Sequence, residues 1–456
     1  MSERLTVLVM AAGRGTRMRS SLPKVLHPVC GKPMVEWVID AARGAGADEV
    51  VAITRPGDGV AEGLPGDVTV AEQREGEGTG AAVLAARDAV DGGTVVVLSG
   101  DVPLQSAELI AALVATHGER GAAATLLTTE HLDPTGYGRI VRAADGSVER
   151  IVETKHPDGV PAEELAIREI NIGTYAFDAA QLFDALDQVG TEHGEIYLPG
   201  ALPVLRDQGL TVVSHVTDDV RSAMGVNDRA GLMEVEALAQ RQILAAHAEA
   251  GVTFLAPDSI CVEAGVTIGA DTTIASATTL RGDTFIGEGC IVGPATTITD
   301  STLADGVTAP HSYLVEARVE EGASLGPFAY LRPGAHIGPG AKIGTFVEVK
   351  NSEIGAGTKV PHLSYIGDAD IGENSNIGAG NITANYDGKD KHRTTIGDGV
   401  RTGVDTAFVA PVDIGDGAYT GAGSVITEDV PEDALGMARS KQTNIEGFAN
   451  RKKERS

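Results

Sequence analysis

The sequence predicts two unlike folds in tandem: an α/β domain around a largely parallel sheet, then a β-solenoid of six-residue units. The solenoid is read from a rhythm. Ile268, Ile274, Leu280, Ile286, Val292 and Ile298 are evenly spaced, as are Val319, Leu325, Leu331, Ile337, Ile343 and Val349, and again Ile396, Thr402, Phe408, Ile414, Thr420 and Ile426. Such a period matches neither the ~3.6 residues of a helix nor the ~2 of a strand. The α/β domain is read from apolar runs, LTVLVM, EVVAIT, VTVAEQ and TVVVLSGD, that alternate with helical stretches such as MVEWVIDAARGAG and GTGAAVLAARDAV. Length is the third observation, because 456 residues exceed what one hydrophobic core sustains.

In chain order, the α/β domain is assigned to residues 1–226, and ligands of such sheets sit at the carboxyl ends of the strands. Residues 227–250 (NDRAGLMEVEALAQRQILAAHAEA) combine helix formers, apolar residues three and four apart, and Gly251 behind them, which predicts a helical rod joining two domains. From 251 to 437 each six-residue unit supplies one short strand with an inward aliphatic, and glycine permits the tight corner. With three units per coil, roughly ten coils stack, each burying its core against its neighbours. Between Ile382 and Ile396 runs TANYDGKDKHRTT, too polar for a packed coil, which predicts a projecting loop on a binding face. Residues 438–456 form a tail ending in RKKERS.

Charge and cysteine use exclude several classes. A formal net charge of -28, with acids spread along the chain, disfavours a nucleic-acid partner. Any Lys and Arg that serve phosphates must therefore be concentrated locally. Cys30, Cys261 and Cys290 have neither metal-ligand spacing nor a disulfide pattern. The opening MSERLTVLVMAAG is too short an apolar run for a signal peptide, and no stretch reaches the ~18 apolar residues of a membrane span. A cytoplasmic protein with no membrane partner is expected.

After the first strand comes AAGRGTRMRSSLPKVL. Gly13 and Gly15 free the backbone to wrap around phosphate oxygens, and Arg14, Arg17, Arg19 and Lys24 supply charge over a short span. The dinucleotide fingerprint is excluded, since Met18 stands where a third glycine belongs, and no Walker Gly-Lys-Ser/Thr follows. Residues Ala11 to Lys24 resemble the signature of the sugar-nucleotide pyrophosphorylases. Gln73, then Gly78-Thr79-Gly80, then Ser99-Gly100-Asp101 continue the match, followed by Gly138 in DPTGYGRI, Glu153 in IVETK, Asn171 in EINIG and Asn227 in GVNDR.

That resemblance implies uridylyl transfer from UTP to a sugar 1-phosphate with release of pyrophosphate. Arg14 and Lys24 would clamp phosphates, and Met10, Ala11, Ala12 and Gly13 would line the nucleotide. Gln73 with Gly78 and Thr79 would read the uracil, Ser99, Gly100 and Gly138 would flank the ligand, and Glu153 and Asn171 would hold the sugar. Asp101 and Asn227 would ligate Mg²⁺, whose hard-oxygen preference they suit. On residue chemistry alone Asp101 is equally a turn residue, and Asn227 a helix N-cap. Positioning and cation clamping supply most of the catalysis such a displacement needs.

Within the solenoid lie LRPGAHIG, FVEVK ending at Lys350, PHLSYIGDADIG, NSNIGAG and ITANYDG. The repeat is similar to the left-handed hexapeptide-repeat β-helix of acyltransferases, and the left hand rests on that resemblance alone, since parallel crossovers are normally right-handed. These segments, with the first half, resemble the bifunctional bacterial enzymes that make UDP-N-acetylglucosamine, a precursor of peptidoglycan and other cell-wall polymers. By that resemblance His362 is the general base that takes a proton from glucosamine 1-phosphate as its amine attacks acetyl-CoA, a role suited to imidazole. Arg332 and Lys350 would hold the sugar phosphate, with Tyr365, Asn376, Asn385 and Tyr386 around the sugar and reacting amine. Ala379, Ala422 and Arg439 fall where the family contacts coenzyme A, and a homotrimer would complete each site, since one convex coil cannot enclose a coenzyme.

Two positions depart from that family. Val404 stands where a serine contacts the coenzyme, and Ile172 where a threonine follows Asn171. The first removes one hydrogen bond, worth about 0.5–1.5 kcal/mol net, and predicts weaker acetyl-CoA binding. Two other readings of the sequence compete with this one. A single-function nucleotidyltransferase with a structural solenoid has no use for His362 beside Lys350 and Asn385-Tyr386. A non-catalytic subunit like those of translation-initiation exchange factors predicts eroded phosphate ligands, yet Arg14, Lys24, Asp101 and Asn227 are present.

Overall fold

The computed structural model describes residues 4–13, 15–154, 159–191 and 194–453. They fold as two compact units, Met1–Ala239 and Gln240–Ser456. In the first, the strands are β1 (Leu5–Met10), β2 (Glu49–Thr54), β3 (Thr69–Glu72), β4 (Thr94–Ser99), β5 (Ala124–Thr129), β6 (Arg139–Arg142), β7 (Val148–Val152), β8 (Ile170–Asp178) and β9 (Val212–Val216). The order across the main sheet is β9-β5-β8-β4-β1-β2-β3, with β6 and β7 on a side branch. Alternate residues of β1 enter different cores: Leu8 packs on one face of the sheet, Val7 and Val9 on the other. Helices therefore cover both faces, as near-continuous apolar strands require.

Along the main path of the largely parallel sheet one strand has the opposite sense. Strand β8 runs antiparallel to both β4 and β5, with an irregularity between Asn171 and Tyr175 where Gly173 turns through φ 88°. Helix Ala107–Arg120 shows how local sequence sets the boundaries: the Ser106 side chain accepts from the Leu109 amide at 3.2 Å at the start, and Gly121 ends it at φ 52°.

The second unit is a parallel β-helix, consistent with the left-handed type that the resemblance implies. Its short strands form three sheets of seven, ten and nine strands, plus a closing pair. Ile298, Leu314, Leu331, Val349 and Ile366 lie in one register column, so each coil covers the aliphatic of the one before. All members of the six-residue rhythm are buried, the most exposed being Thr402 at 7%; each large one contributes roughly 1.5–3 kcal/mol by burial. Corners need small residues: a Cβ on Gly378 would lie 2.7 Å from the Gly403 carbonyl oxygen. The polar excursion projects as expected, closed by the Tyr386–Lys391 antiparallel bridge and by the His392 amide donating to the Asn385 carbonyl at 2.8 Å.

The helix Arg229–Glu249 contains the division between the two units. A short exposed helix, Phe448–Lys453, lies in the tail. Among the described residues no helix is long and apolar enough to cross a membrane.

Candidate functional site

Three strand ends converge in the first unit. Met10 pairs with Ser99 across β1 and β4, the Gly100 amide donates to the Met10 carbonyl at 3.0 Å, and the Ala11 amide donates to Ile53 at 2.9 Å. This juxtaposition lays the glycine-rich loop beside Asp101. Gly15 turns left-handed at φ 56°, and a Cβ there would sit 2.5 Å from the Lys24 Cβ, so only glycine lets the loop close over Lys24. The Lys24 ammonium pairs with Asp101 Oδ2, and Ser99 Oγ donates to Asp101 Oδ1 at 2.7 Å. Arg14 lies outside the described residues.

Asn227 reaches the same place from a distant part of the chain. The Val226 amide donates to the Asp101 carbonyl at 2.8 Å, and Arg17 Nη2 donates to Asn227 Oδ1 at 2.8 Å. A cleft of about 580 Å³ opens beside them, lined by Thr16, Arg17, Met18, Arg19, Asp228, Arg229 and Ala230. The donor set fits a hard divalent cation: one carboxylate and one amide oxygen stand together, leaving room for the waters and phosphate oxygens that Mg²⁺ retains. Both oxygens accept here from cationic side chains, Lys24 and Arg17, which would turn to phosphate oxygens when a cation takes their place. Among the described residues no cluster of three His, Cys, Asp or Glu forms an all-protein metal cage.

The other sequence-predicted residues of this unit fall into two further groups. Gln73 is 3% exposed and donates through Nε2 to the carbonyls of Gly76 and Gly78 at 3.2 and 3.4 Å, while Thr79 Oγ1 accepts from the Leu198 amide at 3.0 Å. Gly138, Glu153 and Asn171 come together: a Cβ on Gly138 would lie 3.4 Å from Glu153 Oε1 and 3.8 Å from the Asn171 Cβ. Asn171 Nδ2 donates to the Tyr175 hydroxyl at 2.7 Å, a phenol that burial holds in its neutral form well above the ordinary range. Ile172 points into the core instead. A connection that sequence reasoning missed joins the first two groups: Arg55 donates to the Ala12 carbonyl at 2.9 Å and to both Glu77 oxygens at 3.3 and 2.6 Å.

In the solenoid, adjacent coils of the ten-stranded sheet stack the predicted phosphate ligands. Tyr330 pairs with Glu348 and Glu348 with Tyr365, placing Arg332, Lys350 and Tyr365 near one another. Arg332 Nη1 donates to Glu348 Oε1 at 2.8 Å. At the centre is Asp368, a residue that motif reading passed over. Its Oδ2 accepts from Lys350 Nζ at 3.3 Å and from Asn385 Nδ2, and its Oδ1 accepts from Asn351 Nδ2 at 2.6 Å. Burial opposes its ionisation, but these donors outweigh it and hold the carboxyl below the usual carboxylate range. Asn385 Nδ2 also lies 3.5 Å from the Tyr365 hydroxyl.

Around this group lies a cleft of about 590 Å³ lined by Pro333, Gly334, Lys350, Asn351, Asp368, Lys391, His392 and Arg393. Lys350 pairs with Asp368 Oδ2 at 3.3 Å, and that carboxylate makes it keep its proton more firmly than an ordinary lysine. Lys391, beside the Lys350 ammonium, keeps its proton less firmly. At the base of the projecting loop Lys350 and Lys391 thus stand beside Asp368, and Arg332 is paired with Glu348.

His362 and the predicted coenzyme residues occupy a corner column. The Gly380 amide donates to the His362 carbonyl at 3.2 Å, Asp405 to Ala379 at 2.8 Å, and Gly423 to Val404 at 2.8 Å. Arg439 Nη1 donates to the Ala422 carbonyl at 3.0 Å. His362 is exposed, Val404 is 48% exposed, and Tyr386 stands out on the loop at 61%. Asn376 bridges Lys359 and Arg401, on the sheet that ends at His362. The chain therefore assembles a cationic cleft and a corner column that runs through successive coils, with His362 at the edge of the latter.

Comparison with known proteins identifies the family. A family model described as a MobA-like NTP transferase domain matches residues 7–162. The chain is 48% identical over 453 residues to the Bifunctional protein GlmU of Brevibacillus brevis, covering 98% of each. It is 47% identical over 460 residues to the Bifunctional protein GlmU of Mycolicibacterium gilvum, covering 98% of this chain and 92% of that one. A solved UDP-glucose pyrophosphorylase complexed with UDP-glucose is similar over 53% of this chain and 100% of its own, at 15% identity and a TM-score of 0.44. On that identity over nearly its whole length, the chain belongs to the GlmU family of bifunctional proteins.

Proposed function

We propose that this chain performs two successive steps of UDP-N-acetylglucosamine synthesis. The solenoid transfers acetyl from acetyl-CoA to the amine of glucosamine 1-phosphate, and the α/β unit then transfers UMP from UTP to N-acetylglucosamine 1-phosphate with release of pyrophosphate. The observation that carries this reading is that each of the two units gathers several cationic side chains at one place and pairs a lysine there with a partly buried aspartate, Lys24 with Asp101 and Lys350 with Asp368. A net charge of -28 makes such local concentration of positive charge a feature that needs a ligand.

In the uridylyl reaction, Lys24, Arg17 and Arg14 hold triphosphate oxygens in line for attack by the sugar phosphate. Gln73 and the Gly78-Thr79 backbone address the base, and Gly138, Glu153 and Asn171 the sugar. Asp101 and Asn227 would hold Mg²⁺, which when bound supplies charge neutralisation at phosphate oxygens. In the acetyl reaction, Arg332 and Lys350 bind the sugar phosphate while Tyr365, Asn376, Asn385 and Tyr386 orient the sugar. His362 accepts the proton of the attacking amine, and Ala379, Val404, Ala422 and Arg439 follow the coenzyme. We assign the nucleotidyltransferase to 1–226, a linker to 227–250 and the acetyltransferase to 251–437. The open corner column is completed by neighbouring chains in a homotrimer, working in the cytoplasm.

The test supplies glucosamine 1-phosphate, acetyl-CoA, UTP and Mg²⁺ and follows free thiol and pyrophosphate separately. Both are expected, and pyrophosphate should require prior thiol release unless N-acetylglucosamine 1-phosphate is given. Purified protein that releases neither product would overturn the reading.

A further inference from the structure

The solenoid corner that holds Asp368 does not demand an acid. Equivalent corners in neighbouring coils carry Glu316, Gly334 and Asn351, all with left-handed backbone at φ 45°, 76° and 45°, like Asp368 at 50°. Glycine or asparagine meets that conformational need. An ionised carboxyl only 6% exposed is retained against a desolvation cost that only well-made contacts offset. Its contacts are therefore informative.

Five polar links converge on this one residue. Its carboxylate accepts from Lys350, Asn351 and Asn385, its amide donates to the Lys350 carbonyl at 3.0 Å, and its carbonyl accepts from the Thr394 amide at 3.2 Å. Asn385 opens the projecting loop and Thr394 closes it, so both ends of the loop are tied to Asp368. Lys391, which lines the cleft, lies on that loop. The carboxylate's contact to Lys350 is longer than that to Asn351, 3.3 Å against 2.6 Å, and leaves that ammonium able to turn to another anion.

We infer that Asp368 is a positioning residue for the acetyl-acceptor site. Its buried carboxylate orients Lys350 and Asn385, and its clamp on both loop ends presents Lys391 to the phosphate of the amino sugar. This rests on the reading of the cleft as the glucosamine 1-phosphate site. Asp368 touches no reacting atom; it acts through the three side chains it places.

The experiment compares Asp368→Asn with wild-type full-length protein. An amide offers one acceptor where the carboxylate offers two, so a donor meets a donor on one side. Loss of a charge-assisted contact should raise KM for glucosamine 1-phosphate about tenfold. The kcat, KM for acetyl-CoA and uridylyl transfer to supplied N-acetylglucosamine 1-phosphate should stay near wild type, while the thermal midpoint falls by only about 2–4 °C. A second variant, Asn351→Gly, keeps the left-handed backbone and deletes only the donor to Oδ1; it should raise the same KM about threefold. The inference fails if KM for glucosamine 1-phosphate does not move, or if both KM values, kcat and the melting midpoint fall away together in both variants, as a merely structural residue would require. Wild-type protein without thiol release would remove the reading of the cleft and the inference with it, whereas wild-type activity without the split removes the inference alone.

Discussion

Replacing His362 with alanine should part the two activities cleanly, and the structure sets the scale. The side chain is exposed, while the bonds that hold this corner are made by its main chain: Ser364 Oγ and the Gly380 amide donate to its carbonyl at 2.8 and 3.2 Å. Truncating an exposed side chain away from packing changes stability by no more than about 0.5 kcal/mol. Removing a general base costs about 10²–10⁴ in rate, or about 2.7–5.4 kcal/mol of barrier. Chemistry should therefore suffer far more than folding. Thiol release from acetyl-CoA, read colorimetrically at saturating glucosamine 1-phosphate, should drop at least about 100-fold. Pyrophosphate release from UTP and N-acetylglucosamine 1-phosphate should be unchanged, and the melting midpoint should move by no more than about 2 °C. A loss of thiol release smaller than about tenfold, or a parallel loss of pyrophosphate release, would refute the assignment of the base or the independence of the two sites.

Other perturbations probe other parts. Arg17→Met removes the donor to Asn227 Oδ1 and should lower kcat/KM for UTP by about 10–100-fold while leaving acetyl transfer intact; equal effects on both reactions would count against it. Val404→Ser gives a half-exposed position a hydroxyl beside the column of Ala379 and Ala422, and KM for acetyl-CoA should fall by about 2–10-fold, with no change refuting the contact. Acid should weaken the α/β unit through His117, which is 5% exposed, bonded through Nδ1 to Thr125 Oγ1 at 3.0 Å, and held by burial below its ordinary pKa of 6.5 despite the opposing charge of Asp178. The unfolded chain then takes the proton first, so stability is intact above 6.5 and falls by up to about 1.4 kcal/mol per pH unit as pH drops toward the folded value. Urea unfolding of wild type and His117→Gln at about pH 7.5 and about pH 5.5 checks this, and equal slopes in both proteins would exclude His117 as a cause.

The solenoid was legible because its physical constraint is periodic: one inward residue per short strand, read directly from Ile268 to Ile426. The parallel strands of the α/β unit were legible as apolar runs, but the reversal of β8 was not. Its direction is decided by pairing with β4 and β5, a long-range choice that leaves no mark in EINIGTYAFD. Glycines and clustered basic residues marked the loop around Lys24, whereas Asp101 and Asn227 were singled out only by the family resemblance, since a lone Asp after a strand or a lone Asn before a helix reads as a turn residue or a cap. Asp368 escaped because GDADIG reads like any other corner of the coil. A sign was nonetheless present: Asn351, Asp368 and Asn385 are each 17 residues apart, close to one coil, so polar residues that belong to one stacked column can be found by coil length rather than by motif.

The two clusters solve one electrostatic problem in the same way. In a chain of net charge -28, a lysine meant for phosphate would otherwise be drawn to whichever surface carboxylate lies within reach, and ordering its flexible side chain on binding would cost up to about 2 kcal/mol. Placing one partly buried carboxylate beside it, Asp101 for Lys24 and Asp368 for Lys350, fixes the ammonium where the ligand will arrive. The carboxylates are in turn held by neutral donors, Ser99 in one unit and Asn351 in the other, so they remain in place when a phosphate competes for the lysine. Part of the attraction is lost to that competition, and a geometry ready for the phosphate is gained. Neutralising either aspartate should therefore impair phosphate recognition even though it removes a negative charge from the site, a direction opposite to what simple charge counting would give.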